Sequence, residues 1–301
     1  MRPGTQLGND ASRCGPTRTE TDLVGVGVQR VPPLLIGACI VIAVMTARVT
    51  LATQDSQSRP KTMLEDGETF VLEDVETFVF ERVNEVRTGL GLRTLASDPI
   101  LTTIARNHSR DMLERDYLGH INPEGKGPVQ RVGEDHRRLV GEVSENVWSA
   151  LLLKGTSPSR VADRILDAVM ASEGHRRNML ARELTHLGLG VYSAPGRNVG
   201  IIEYRATQLF AAVEGYTEQP VPERLSQGRF VNFSLKRPDG GPPDVEFFDL
   251  WSPEEQRVVF GPVGLVLARI AAVPGTYLLR FYHPLGLGKY RVSSGPTIVL
   301  E

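Results

Sequence analysis

Hydrophobic and polar positions recur along this chain with two different periods, and the place where the period changes divides it. Between residues 75 and 87 the apolar side chains Val75, Phe78, Val79, Val83 and Val86 follow helical spacing, and Gly89 and Gly91 end the stripe. A second helix is announced by Asp98 as N-cap and Pro99 in its first turn; it carries Ile100, Leu101, Ile104, Ala105, Met112 and Leu113 toward the break at Gly119. A third, capped around Ser157-Pro158-Ser159, holds Val161, Ile165, Leu166 and Val169 and runs to about Ser172. Residues 186–192 and 199–213 then alternate with period two, which predicts a pair of strands joined by a turn over residues 194–198. Helices first and a short antiparallel sheet later predict an α+β layout with helices packed on the sheet.

A connector rich in proline and charge covers residues 217–227, and beyond it the alternation returns in shorter pieces. Residues 229–235, 245–250, 258–260, 265–270, 276–282, 290–292 and 298–300 read as strands separated by Gly and Pro turns, the pattern of a small all-β sandwich. Tyr277, Leu279 and Phe281 should face one side of their strand, with Leu278, Arg280 and Tyr282 on the other. The expected organisation is an N-terminal tail over residues 1–52, a linker over 53–74, an α+β domain over 75–216, the connector and a β-sandwich over 228–301.

The tail contains the longest apolar run, residues 34–47, free of charge, preceded by Arg30 and Pro32-Pro33 and closed by Arg48. It is short for a membrane span, which needs roughly 20 residues, and suits a signal-peptide core or a short membrane anchor. Thirty residues before it is long for the charged start of a signal, and translation beginning near Val24 to Val28 would give the usual length. Cys14 and Cys39 are the two cysteines, so the region beyond residue 50 contains no disulfide, no thiol nucleophile and no Cys-ligated zinc. A net charge of -2 argues against a general nucleic-acid binder, which would carry a basic field.

The chemistry worth weighing lies where regular structure is expected to stop. His120 follows Gly119 after a helix, Glu145-Asn146 follows a loop, and His175 lies in the segment from Ser172 through Glu173 to Asn178. Two imidazoles and a carboxylate brought together can hold a divalent metal or share a proton. The intervals are long and no HExxH pattern is present, so hydrogen-bonded structural histidines are the competing reading. His108 falls on the apolar face of the second helix and reads as a packed core histidine, while His136, beside Asp135 and Arg137-Arg138, reads as solvent-facing and His283 before Pro284 as a turn residue. Asn84 and Arg87 share a helix face and should bond to loop backbone.

Several of these pieces together resemble the superfamily of cysteine-rich secretory proteins, antigen 5 and pathogenesis-related proteins (CAP), in a bacterial, disulfide-free form. The matching segments are Val83-Asn84-Glu85-Val86-Arg87, Asn107-His108-Ser109-Arg110-Asp111-Met112, Gly119-His120-Ile121-Asn122-Pro123-Glu124-Gly125, Glu145-Asn146-Val147, Ser172 through Leu180, Leu187-Gly188-Leu189-Gly190-Val191 and Thr207-Gln208-Leu209-Phe210, in the family's order. The resemblance implies an α-β-α sandwich and a cleft lined by His120, His175 and Glu145, which in some members takes a divalent metal such as zinc. The family's second carboxylate has no clean counterpart, because Ser172 stands in its place. Glu173 either restores a carboxylate one residue late or points outward as a solvated charge, and the usual exposure of Glu favours the latter.

With export read from the apolar run, the resemblance implies an exported binder whose cleft, with Asn146, Ser172 and Glu173 around it, accepts a small-molecule, lipid or peptide ligand. It would be extracellular or periplasmic, or tethered to the membrane through residues 34–47. A metal-assisted hydrolase with Glu145 as catalytic base, and a structural envelope or adhesion protein, are the other readings; binding is favoured over catalysis. Export has a direct expectation: a reporter active only outside the cytoplasm, fused after Thr69, is active, and deleting residues 34–47 abolishes that activity.

Overall fold

The computed structural model describes residues 72–226, 230–231, 233–242, 244–254, 256–263, 268–269 and 273–301; the apolar run at 34–47 and most of the linker lie outside them. Five helices occur among the described residues: α1 (Leu72–Gly89), α2 (Pro99–Glu114), α3 (Pro128–Asp135), α4 (Pro158–Ala171) and α5 (Glu173–Leu180). The strands that position the site are β1 (Ala96–Ser97), β2 (Leu139–Leu153), β3 (His186–Pro195) and β4 (Ile201–Thr217). They are followed by β5 (Arg224–Leu225), β6 (Phe230–Val231), β7 (Leu235–Lys236), β8 (Phe247–Ser252), β9 (Gln256–Pro262), β10 (Ala268–Arg269), β11 (Gly275–Gly286) and β12 (Lys289–Leu300).

Alternation in β3 and β4 creates the layers. Leu187, Leu189, Val191, Ile202, Tyr204, Ala206 and Phe210 turn to one face, where they meet Val75, Val79 and Val83 of α1 and Val161, Ile165 and Val169 of α4. Leu209, Ala211 and Val213 turn to the other, against Leu101, Ile104 and Ala105 of α2 and Val132 of α3. Helices on both faces of a mostly antiparallel sheet make the expected α-β-α sandwich. The expected caps are in place: Asp98 accepts from the N–H groups of Ile100 and Leu101 at 2.8 and 2.9 Å, and Ser157 caps α4. Asn84 bonds both the N–H and the C=O of Leu95, and the fully buried guanidinium of Arg87 donates to the carbonyls of Arg93, Met179 and Ala181.

The C-terminal region is strand-rich, and its strands extend the same sheet. The order runs β1-β3-β4-β2-β12-β11-β8-β9, with Ser294 of β12 opposite Gly141 of β2, while β6 and β10 form a separate pair. Tyr277, Leu279 and Phe281 enter a second core with Phe248 and Leu250, to which Val140 at the start of β2 also belongs. On the opposite face Arg280 forms a bidentate pair with Asp249, whose carboxylate also accepts from Tyr282 Oη at 2.6 Å. The two strands expected at 290–292 and 298–300 are one continuous strand, β12. His283 is not a turn residue; it is buried within β11, its Nε2 2.7 Å from Ser293 Oγ and 2.5 Å from Glu214. Glu214 is the extra residue of a bulge in β4, since Val140 faces Gly215 while Gly141 faces Val213.

Gly188 and Gly190 explain why α2 lies so close to β3. A Cβ on Gly190 would stand 2.1 Å from Arg106 N and 2.2 Å from Ala105 C, and one on Gly188 would stand 2.3 Å from Leu101 C. Only a bare backbone permits this approach, and Ser109 Oγ uses it to reach Gly190 O at 2.8 Å. Gly190→Ala should therefore push helix from sheet and destabilise the fold by about 3 kcal/mol, read as a lower urea midpoint.

Candidate functional site

The site is organised by two adjacent residues of β2. Because side chains alternate across a strand, Glu145 and Asn146 point to opposite faces of the sheet, and each ties down a different set of elements. Glu145 was expected beside a loop; it lies in the middle of a fifteen-residue strand, paired opposite Leu209. Its carboxylate is almost wholly enclosed, with the side chain 1% exposed.

Three cationic or imidazole groups surround that carboxylate. Arg131 of α3 donates from Nη2 to Oε2 at 2.6 Å, and His120, in the loop after α2, donates from Nδ1 to Oε1 at 3.0 Å. His108 Nε2 stands 3.8 Å from the same Oε1 and donates to Gly119 O at 3.0 Å. Since a carboxylate only accepts, its contact fixes the proton of His120 on Nδ1 and leaves Nε2 as the other ring nitrogen. The hydrogen bond to Glu145 raises the His120 pKa above its ordinary value, outweighing partial burial and the nearby Arg131 charge. Burial lowers that of His108, so this core imidazole is neutral at neutral pH.

On the opposite face, Asn146 Nδ2 donates to His175 O at 3.1 Å and to Gln208 Oε1 at 3.0 Å, while Asn178 Nδ2 reaches both Asn146 Oδ1 and Glu145 O. These amide contacts pin α5 against β2. Ser172 ends α4 and caps α5, its Oγ accepting from His175 N at 3.5 Å, so His175 sits in the first turn of a helix and not in a loop. Burial, and then the charge of His120, lower the His175 pKa. The imidazoles of His120 and His175 are thus pushed in opposite directions. Glu173 points away into solvent and pairs with Arg177 at 2.6 Å.

Residues 80–210 match the profile of the family described as CAP, the cysteine-rich secretory protein family. This stretch is a CAP domain. The uncharacterized protein YkwD of Bacillus subtilis is 32% identical to it over 107 residues, 36% of this chain and 38% of that protein. The uncharacterized membrane protein YlbC of the same organism is 31% identical over 108 residues, 36% of this chain and 29% of that protein. The chain thus spans well under half the length of either relative. A crystal structure of an extracellular protein containing a SCP domain, from Bacillus anthracis, is 27% identical and covers 46% of this chain and 40% of that one, with a TM-score of 0.37.

Arg131 is the partner of Glu145 that the sequence reading missed. It lies in an eight-residue helix whose only clear signals are Pro128 in the first turn and the apolar Val129 and Val132 around a lone Arg. Its Nη1 also holds His120 O and Lys126 O, so one guanidinium sets both the carboxylate and the loop carrying His120. His136 is likewise reassigned: it is buried, accepts from Leu139 N on Nδ1 and donates from Nε2 to Asp98 at 3.2 Å, so it anchors the N-cap of α2. Among the described residues no three His, Cys, Asp or Glu side chains are grouped to hold a metal ion.

The Glu145 contact makes a measurable claim. In a histidine titration followed by NMR, Glu145→Gln should lower the His120 pKa, because the neutral amide no longer favours imidazolium. Arg131→Gln should raise it further, since a competing positive charge is removed.

Proposed function

We propose that this is an exported CAP-domain protein that binds a small or peptide-like ligand between His120 and His175, with a divalent cation such as zinc as the ion that the two imidazoles would take. The observation that carries this reading is the clamp on His120. Glu145 fixes the proton on Nδ1, so Nε2 of a side chain 48% exposed is the nitrogen left to a ligand. A carboxylate held behind an imidazole orients the ring and raises its basicity, which is what a ligating histidine needs. Burial keeps the second imidazole, His175, in its neutral, lone-pair form.

Two imidazoles alone would make an open cation site and not a closed structural one. Two imidazoles supply protein ligands, and the remaining positions would be filled by solvent or by the bound molecule. Glu145 is engaged on both oxygens by Arg131 and His120, so it positions His120 and is not a free base for water. The hydrolase reading would require that carboxylate to give up its contacts with Arg131 and His120, at the cost of leaving a buried charge without them. Export is supported by the apolar run at 34–47. Among the described residues no helix is long and apolar enough to cross a membrane.

Isothermal titration with zinc tests the cleft. Affinity should be measurable at about pH 7.5 and fall at least roughly tenfold by about pH 5.5. The loss should begin above the ordinary histidine value, because the raised pKa of His120 lets protons compete early. His120→Ala or His175→Ala should remove most of the affinity, whereas His136→Ala, in contact with Asp98 and not with the cleft, should keep it. Zinc binding that is absent, or untouched by the first two changes, would overturn the reading.

A further inference from the structure

One edge of β2 remains open beside the cleft. Along its whole length β2 pairs with β4, but on its other side, among the described residues, only Gly141 meets a strand, at Ser294. Lys154 N donates to Gly200 O across the β2-β4 turn, so even-numbered residues at this end direct their backbone groups toward β4 and odd-numbered ones direct theirs outward. The outward carbonyl of Glu145 is taken by Asn178 Nδ2, and that of Leu153 by the turn at Thr156. Between these two caps the outward N–H and C=O groups of Val147, Ser149 and Leu151 have no partner among the described residues.

Native sheets blunt such an edge with lysine, proline or a covering loop. Residues 146–153 contain no charge and no proline. Leu151 and Leu153, on the same face as Glu145, are 63% and 69% exposed. Leu118 and Ile121, on either side of His120, are 51% and 59% exposed. Arg205, opposite Ser149 in register, donates to Tyr117 O and so ties the start of that loop to this face.

We propose that the open edge of β2 docks an extended peptide segment of a separate partner, which adds to the sheet as a strand along Val147, Ser149 and Leu151 and leads toward His120 and Glu145. This deepens the cleft reading above and rests on it for the class of ligand. Unpaired N–H and C=O groups at alternate residues are matched by another extended backbone, the recognition mode of strand addition. The open strip is about 23 Å long at roughly 3.3 Å per residue. Even with about 10 Å of width for the flanking side chains, the strip offers on the order of 200 Å², well short of the ~800 Å² per partner of a stable complex between two copies, which argues for a peptide as the occupant. Because the strip is uncharged, the fitting segment is uncharged too, with apolar side chains at alternate positions to meet Leu151 and Leu153, and its binding is indifferent to salt.

The probe is a fluorescent, acetylated and amidated heptapeptide of alternating Thr and Val, followed by polarisation against the full chain. The expected result is saturable binding that is insensitive to salt, kept by Ser149→Ala and weakened at least tenfold by Ser149→Pro. That proline removes one outward N–H and leaves the ladder to β4 intact. The same peptide N-methylated throughout should not bind, which tests backbone pairing without altering the protein. No binding by the parent, undiminished binding by a Ser149→Pro variant that keeps its thermal transition, or binding of the N-methylated probe would each overturn the proposal. So would sedimentation showing dimers that Ser149→Pro separates, because the occupant would then be a second copy. Zinc titration of the same samples separates the two ideas. Absent zinc binding with intact, proline-sensitive peptide binding sinks the metal cleft alone, and the reverse sinks the edge alone.

Discussion

A negative charge enclosed in the middle of a β-sheet is the constraint around which the CAP domain of this protein is arranged. Left unpaired, the carboxylate of Glu145 would be costly to bury, so the chain brings a guanidinium and an imidazole to it from two elements far apart in sequence. Arg131 does more than neutralise: by holding His120 O and Lys126 O it folds the loop after α2 around the same centre. The neighbouring Asn146 repeats the arrangement with uncharged groups on the other face, where it fastens α5 and hence His175. Two consecutive residues of one strand therefore set the positions of both His120 and His175.

The same arrangement explains what the sequence revealed and what it hid. Helices α1, α2 and α4 were legible because their apolar stripes and caps act locally, and Asp98 and Ser157 do what N-cap residues do anywhere. Strands β3 and β4 were legible because they alternate: Leu187, Leu189 and Val191 face α1 and α4, while the intervening Gly188 and Gly190 face α2. β2 was not, since Glu142, Ser144, Glu145 and Asn146 interrupt its alternation; the polar side chains that build the site erase the pattern that would announce the strand. α3 and α5, at eight residues each, are too short to display a period, which is why His175 was read in a loop and Arg131 was overlooked. His136 and His283 were misplaced for a related reason. Flanking charges and a following proline suggest exposure, but Asp98 in one case and Ser293 with Glu214 in the other supply the partners that make burial affordable.

The order of motifs pointed to His120, Glu145 and His175, and the structure supplied the division of labour among them. Similar residue types carry opposite electrostatic settings: His120 is drawn toward its charged form by a carboxylate, and His175 toward its neutral form by enclosure and by repulsion from His120. Neither setting can be read from a list of residues, because each depends on what lies behind the ring.

The bulge at Glu214 has a bearing on how register is kept along the sheet. In a sheet, one residue inserted into a strand ordinarily turns every following side chain to the wrong face. Here the extra residue lies between the paired part of β4 that supports the site and the short stretch that leads into the C-terminal strands, and its side chain is spent on His283 and Arg291. Register on one side of the bulge is thereby insulated from register on the other. Glu145 and Asn146 thus take their faces from the unbroken β2-β4 register between Gly141 and Leu153, and not from the stretch beyond the bulge.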